Sequence, residues 1–126
     1  MIFIDSDILI WILRNNEEYK SIYSEAVKEY DGAIFISPIQ FAEIVAGIRE
    51  KEKLDTELFL DSLRIIDINK EIGKLAGEYM KIHNKSHNIH TTDAIIAAIA
   101  KINNLKLWTC NKKHYPMLNQ GEFYKA

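Results

Sequence analysis

Residues 33–49, AIFISPIQFAEIVAGIR, contain the best-marked strand-to-helix boundary in the chain. The apolar run AIFIS suits a strand buried on both faces. Ser37, Pro38 and Gln40 then stand as an N-cap, a first-turn proline and the N3 partner of a capping box, which predicts a helix from Pro38 to about Arg49. Glu43 falls inside that helix among Phe41, Ala42, Ile44, Val45 and Ala46, and Gly47 at i+4 offers it no partner charge.

The same alternation extends in both directions. Upstream, residues 2–5 read as a short buried strand, followed by a helix from about Ile8 to Arg14. Tyr19, Ile22, Tyr23, Ala26, Val27 and Tyr30 then mark an amphipathic helix that ends before Asp31-Gly32. Downstream, Asp55 is placed to cap a short helix and RIIDI (64–68) reads as a third strand. Ile72, Leu75, Ala76, Tyr79, Met80 and His83 line one face of the next helix. TTDAIIAAIAKINN (91–104) predicts a buried helix capped by its threonines, LKLWT (105–109) a fourth strand, and residues 122–124 a weak fifth. Strands alternating with helices predict an α/β fold with a parallel central sheet of four to five strands and helices on both faces.

With 126 residues, 48% of them hydrophobic, the chain fits one domain spanning 1–126. A net charge of −2 gives no global attraction to nucleic acid or anionic lipid, so a polyanion must be held by a local patch. No apolar run approaches the roughly 20 residues a membrane helix needs, and no leader is evident. A cytoplasmic location is the expectation. Cys110, the sole cysteine, excludes an internal disulfide and reads as core filler.

In a parallel sheet, helices begin at the edge where strands end. Asp5 and Asp7 follow strand one, Glu43 lies one to two turns into the helix after strand two, Asp93 lies in the first turn of the helix before strand four, and Asn111 follows that strand. All should meet at one edge. Carboxylates about 5 Å apart repel by roughly 3 kcal/mol per pair at an effective dielectric near 20, so a cation is expected between them. Hard oxygen donors favour Mg²⁺ or Mn²⁺ over zinc. Blander roles stand beside this one: Asp5 as a turn residue, Asp7 as a helix cap, and Asp93 as a partner of the helix dipole.

Four stretches, FIDSDILI, ISPIQFAEIVAGI, HTTDAIIAAIA and LKLWTCNKKHYP, occur in an order and spacing that resembles the PIN domain ribonucleases, in particular the VapC-type toxins of toxin–antitoxin modules. The resemblance covers nearly the whole chain and implies a three-layer PIN-like fold. It implies that Asp5, Glu43 and Asp93 are catalytic metal-binding acids, with Ser6 and Thr109 at positions where a small hydroxyl residue is usual. It also implies a homodimer and a small cognate antitoxin. Asn111 stands near where such proteins often carry a fourth acid, which leaves one ion or two open.

The reaction expected is metal-assisted hydrolysis of RNA phosphodiesters. For RNA contact the candidates are Lys112, Lys113 and His114, with Lys85, His87 and His90 leading into the Asp93 helix. His83, His87 and His90 also have zinc-ligand spacing if helical, although the stretch reads as a helix end and loop without a fourth ligand. A PIN-like module that binds RNA or a partner without cutting is the alternative. Tyr19, Tyr23 and Tyr30, and the apolar residues Phe41, Ile48, Leu58 and Phe59, serve either the core or a partner surface.

Overall fold

Short strands, the central β1 buried on both faces, organise the molecule. The computed structural model describes residues 1–125 and, within them, all side chains except those of 84–87. β1 (Ile2–Ile4) is followed by α1 (Ser6–Leu13) and α2 (Glu17–Glu29), then β2 (Ile34–Ile36) and α3 (Pro38–Gly47). After a 3₁₀ turn at Glu50–Glu52 come α4 (Lys53–Asp61), β3 (Arg64–Ile65), α5 (Lys70–His87), α6 (Thr91–Ile102) and β4 (Lys106–Trp108). The four strands are all parallel in the order β3-β2-β1-β4. Among the described residues, no helix is long and apolar enough to cross a membrane.

Successive strand side chains enter opposite helical layers, as a two-residue period demands. Ile2, Ile4, Ile34, Ile36 and Trp108 join Ile8, Leu9, Ala26, Ile44 and Leu60 beneath α1–α4. Phe3 and Leu107 point the other way, into a core filled by Ile72 and Ala76 of α5 and by Ala94 and Ile96–Ala100 of α6. The apolar surface of α6 is thus explained by burial against both α5 and the sheet. This is the three-layer α/β/α architecture expected.

The capping box at Ser37 forms as read: the Gln40 side chain accepts from the Ser37 backbone and hydroxyl, and Ser37 Oγ accepts from Ile39 N. Gln40 also has a second task. Fully buried, it donates Nε2 to the carbonyl of Ile4 at 2.9 Å, tying the start of α3 to the end of β1.

Several boundaries differ from expectation. α1 starts at Ser6 because Asp5 occupies the N-cap and accepts from Ser6 N, so Asp7 lies inside the first turn. α3 stops at Gly47, with Ile48 already extended. Asp55 is not a cap; the 3₁₀ turn, closed by Arg49–Glu52 bonds, makes the chain helical before Asp55 is reached. Thr91 and Thr92 are likewise inside α6, whose N-cap position is held by His90 without a side-chain bond. α5 runs through His83 and ends at His87, so the histidine-rich stretch is more helical than read. The fifth strand reduces to one parallel bridge, Leu107 with Phe123. Cys110 is exposed, not core, because it falls two residues beyond the end of β4, with its sulfur 3.3 Å from Tyr19 Oη.

Candidate active site

The order β3-β2-β1-β4 makes β1 the strand from which the chain first builds to one side and later returns on the other. A crevice at the carboxyl ends of β1 and β4 is the place where such sheets bind ligands. Asp5 N donates to Trp108 O at 3.0 Å, which closes the ladder at that point and puts Asp5 beside Thr109.

Asp5 is half-buried and its carboxylate is held by three donors. Oδ1 accepts from Ser6 N at 2.8 Å; Oδ2 accepts from Thr109 Oγ1 at 2.8 Å and from Tyr115 Oη at 2.7 Å. Thr109 in turn accepts from Asn111 N at 3.1 Å, which orients its hydroxyl. Ser6 Oγ donates to Glu43 Oε1 at 2.7 Å, bringing the acid of α3 against the first residue of α1. Glu43, without a partner in its own helix, finds one here.

Asp7 takes a different part. Its Oδ1 accepts from Ile8 N at 2.7 Å, while Oδ2 accepts from Cys110 N and Asn111 Nδ2, each at 3.0 Å, and lies 3.3 Å from Thr109 Oγ1. It is a clamp between α1 and the segment after β4. Asn111 therefore uses its amide to donate to Asp7. Burial, and then the charge of Asp5, push the Asp7 carboxyl above its ordinary value against the lowering effect of those donors.

Asp93, in the first turn of α6, is half-buried. Burial raises its pKa first; His114 offsets this, Asp5 raises it further, His90 opposes, and Glu43 raises it again. The charges of Asp5 and Glu43 thus reach Asp93 from two other segments of the chain. His114 Nδ1 stands 4.0 Å from Asp93 Oδ2, and among the described residues no lysine or arginine forms an ion pair with any of the four acids.

The other basic candidates are more scattered. Lys112, Lys113 and His114 form a 3₁₀ turn at the crevice, with Lys113 and His114 exposed and the Lys112 ammonium 5.3 Å from the centre of the Phe123 ring. His90 is exposed beside the start of α6. Lys85 and His87 lie outside the residues whose side chains are described. Among the described residues, no group of three or more His, Cys, Asp or Glu is arranged to hold a metal as it stands, which lends nothing to a zinc site at the histidines.

Tyr115 was not singled out from sequence. It lies between His114 and Pro116, in a segment with no periodicity to read, and its ring is 2% exposed in the α5/α6 core. Burial, then the charge of Asp5 and the bond to it, hold the phenol well above its ordinary value, so Tyr115 is a permanent donor. The only advance signal is a large aromatic next to a proline in a stretch otherwise made of Asn, Lys and His.

Among the described residues, the groups bonded around Asp5 and Glu43 offer oxygens, from the carboxylates and from the hydroxyls of Ser6 and Thr109, with the His114 imidazole 4.0 Å from Asp93. Their charge is unbalanced, and no three acids already form a closed cage. This donor set fits a hard divalent cation that keeps much of its water shell, and does not fit zinc.

Comparison with known proteins gives the family. A family model for the PIN domain matches residues 2–117. Ribonuclease VapC10 of Mycobacterium tuberculosis is 36% identical over 121 residues, which cover 95% of this chain and 90% of that one. Ribonuclease VapC1 of Methanocaldococcus jannaschii is 33% identical over 91 residues, covering 71% and 67%. Among solved structures, a toxin-antitoxin complex from Klebsiella pneumoniae superposes with a TM-score of 0.79 at 23% identity, covering 99% of this chain and 97% of that one. VapBC-1 from nontypeable Haemophilus influenzae gives 0.75 at 25% identity, covering 91% and 90%. The chain belongs to the PIN domain family.

Proposed function

We propose that residues 1–126 form one nuclease domain that hydrolyses RNA phosphodiester bonds with the help of Mg²⁺ or Mn²⁺, and that it is the toxin of a toxin–antitoxin pair. The observation that carries this reading is the convergence at the β1/β4 edge of Asp5, of Glu43 bonded to Ser6 beside it, and of Asp93, which feels the charge of both, with no lysine or arginine ion-paired to them among the described residues. In this scheme Asp5, Glu43 and Asp93 hold the ion, directly or through water, and the side-chain carbonyl of Asn111, whose amide donates to Asp7, is available to a water on that ion. A bound divalent ion supplies Lewis acidity at phosphate and eases the deprotonation of water.

The protein's own side chains supply position. Thr109 and Ser6 orient Asp5 and Glu43 through bonds of 2.8 and 2.7 Å. Asp7 holds the segment 109–111 in place. Lys112, Lys113 and His114 offer positive or polar groups to the phosphates of a strand laid across the crevice. The related ribonucleases by name, and the toxin–antitoxin complexes among the structural neighbours, support the substrate class and the partner. Ile10, Val45, Leu54 and Leu58, exposed on α1, α3 and α4, are apolar surface such a partner can cover. Phe41, Ile48 and Phe59, like Tyr19, Tyr23 and Tyr30, are instead half-buried against the core. A second copy of the chain and a cytoplasmic location complete the reading.

A mixed RNA pool digested by the wild type and by Asp93→Asn, with Mg²⁺, with Mn²⁺ and with chelator, tests it. Shortening by the wild type only when metal is present is the expected result. Cleavage that survives chelation, or survives Asp93→Asn, overturns the scheme; binding without shortening favours the silent module.

A further inference from the structure

Asp5 takes three donors on its two carboxylate oxygens, and the arrangement is asymmetric. A carboxylate oxygen offers two lone-pair positions. On Oδ2 both are taken, by Thr109 Oγ1 at 2.8 Å and Tyr115 Oη at 2.7 Å; on Oδ1 the Ser6 amide at 2.8 Å takes one. A single position on Oδ1 is left. Thr109 has one hydroxyl hydrogen and stands nearer Asp5 than Asp7, so its donation goes to Asp5.

Tyr115 can deliver its hydroxyl only because the rest of the ring is anchored. The side chain is 2% exposed among the apolar residues of the α5/α6 layer, and the backbone before it is drawn into the Lys112–His114 turn, with Tyr115 N donating to Lys112 O at 2.9 Å. The hydroxyl crosses from a core residue to an acid 110 positions earlier in the chain. A phenylalanine would fill the same space, so packing alone does not call for the oxygen.

We propose that Tyr115 is a positioning residue: with Thr109 it fills Oδ2 of Asp5, fixes the rotation of the carboxylate, and leaves Oδ1 as the one oxygen presented to a divalent cation. This rests on the reading of the crevice as a cation site. Asp5 then binds through one oxygen, not as a bidentate ligand. Groups that orient a metal ligand from behind typically change affinity by about 10–100-fold when removed.

The test is a Mn²⁺ titration of the purified chain without RNA, read from the paramagnetic resonance of free Mn²⁺, with circular dichroism to confirm folding. Tyr115→Phe is expected to bind Mn²⁺ about tenfold or more weakly. Thr109→Val, which removes the other donor to Oδ2, should move affinity the same way, and is decisive if Tyr115→Phe cannot be purified. Tyr124→Phe is the control, since the Tyr124 hydroxyl is buried with no partner among the described residues; it should bind as the wild type does. Wild-type affinity in Tyr115→Phe, in Thr109→Val, or an equal loss in Tyr124→Phe overturns the proposal alone. A wild-type protein that takes up no Mn²⁺ overturns the cation-site reading and this proposal with it.

Discussion

Ser6 Oγ donates to Glu43 Oε1 across 2.7 Å, joining the first residue of α1 to a glutamate 37 positions later and one turn into α3. Glu43 is exposed, so this one bond restricts a side chain that solvent would otherwise leave free. Ser6→Ala should therefore lower RNA cleavage by about 10- to 100-fold, the range of a hydrogen bond to a charged group, while Ser6→Thr retains it. Initial rates on one defined RNA substrate, together with thermal melts showing little change, check this; equal rates in Ser6→Ala would show that Glu43 needs no such anchor.

Asp93 gives a pH-dependent effect of definite sign. Its pKa is raised in the folded protein, by burial first and with contributions from Asp5 and Glu43. A carboxyl raised on folding binds its proton more tightly in the native state. The stability it contributes is greatest below the ordinary value of 3.8 and is lost as pH rises through the folded value. In metal-stripped protein, Asp93→Asn should accordingly melt higher than the wild type near neutral pH, and the gap should close as pH falls toward 3.8. Melting both proteins across that range measures it, and a gap independent of pH would mean the carboxylate's charge is not the cause.

Cation binding should reverse that cost. At about a hundredfold excess over its dissociation constant, an ion bound only by the native state adds about 2.7 kcal/mol, which is several degrees in melting temperature for a domain of this size. Mg²⁺ or Mn²⁺ should raise the midpoint of the wild type and chelator should return it. Asp5→Asn should stay folded, respond little and cut no RNA. A full thermal response in Asp5→Asn would take Asp5 out of the ligand set.

Lys112 and Lys113 are predicted to act on phosphate without reading bases. Replacing both with alanine should reduce the slope of log affinity against log salt for single-stranded RNA by about 1.4, at roughly 0.7 per phosphate contact. Filter binding in the Asp93→Asn background, expected to hold RNA without cutting it, supplies the measurement. An unchanged slope would assign the phosphate contacts elsewhere.

Gln40 bridges two roles that sequence shows only by half. Gln40→Leu removes the capping partner of Ser37 and strands the buried Ile4 carbonyl, and should destabilise the fold by about 1–3 kcal/mol in chemical denaturation. A loss below about 0.5 kcal/mol would show that water or a neighbour replaces the amide.

How much could be read beforehand followed the range of each interaction. The capping box at Ser37–Gln40, the alternation of strands with helices, and the placement of Asp5, Glu43 and Asp93 near strand ends were legible because each depends on residues a few positions apart. The threonines of α6 misled for the same reason: a good cap residue marks a possible start, and the chain began its helix one residue earlier, at Thr91 after an extended His90. Cys110 was misread because hydrophobic type predicts burial only on average, and here β4 ends at Trp108.

By itself, then, the amino-acid order determined the kind of fold and which acids follow its strands and helix starts, since periodicity and caps are local physics, and four motifs in order carried the resemblance to the family. Tertiary structure alone decided that Tyr115 reaches Asp5, that Gln40 serves the Ile4 carbonyl, and that Asp7 clamps the chain after β4. Those bonds join segments 36 to 110 residues apart. They exist because the strand order sets β1 between β2 and β4, an adjacency no local pattern encodes.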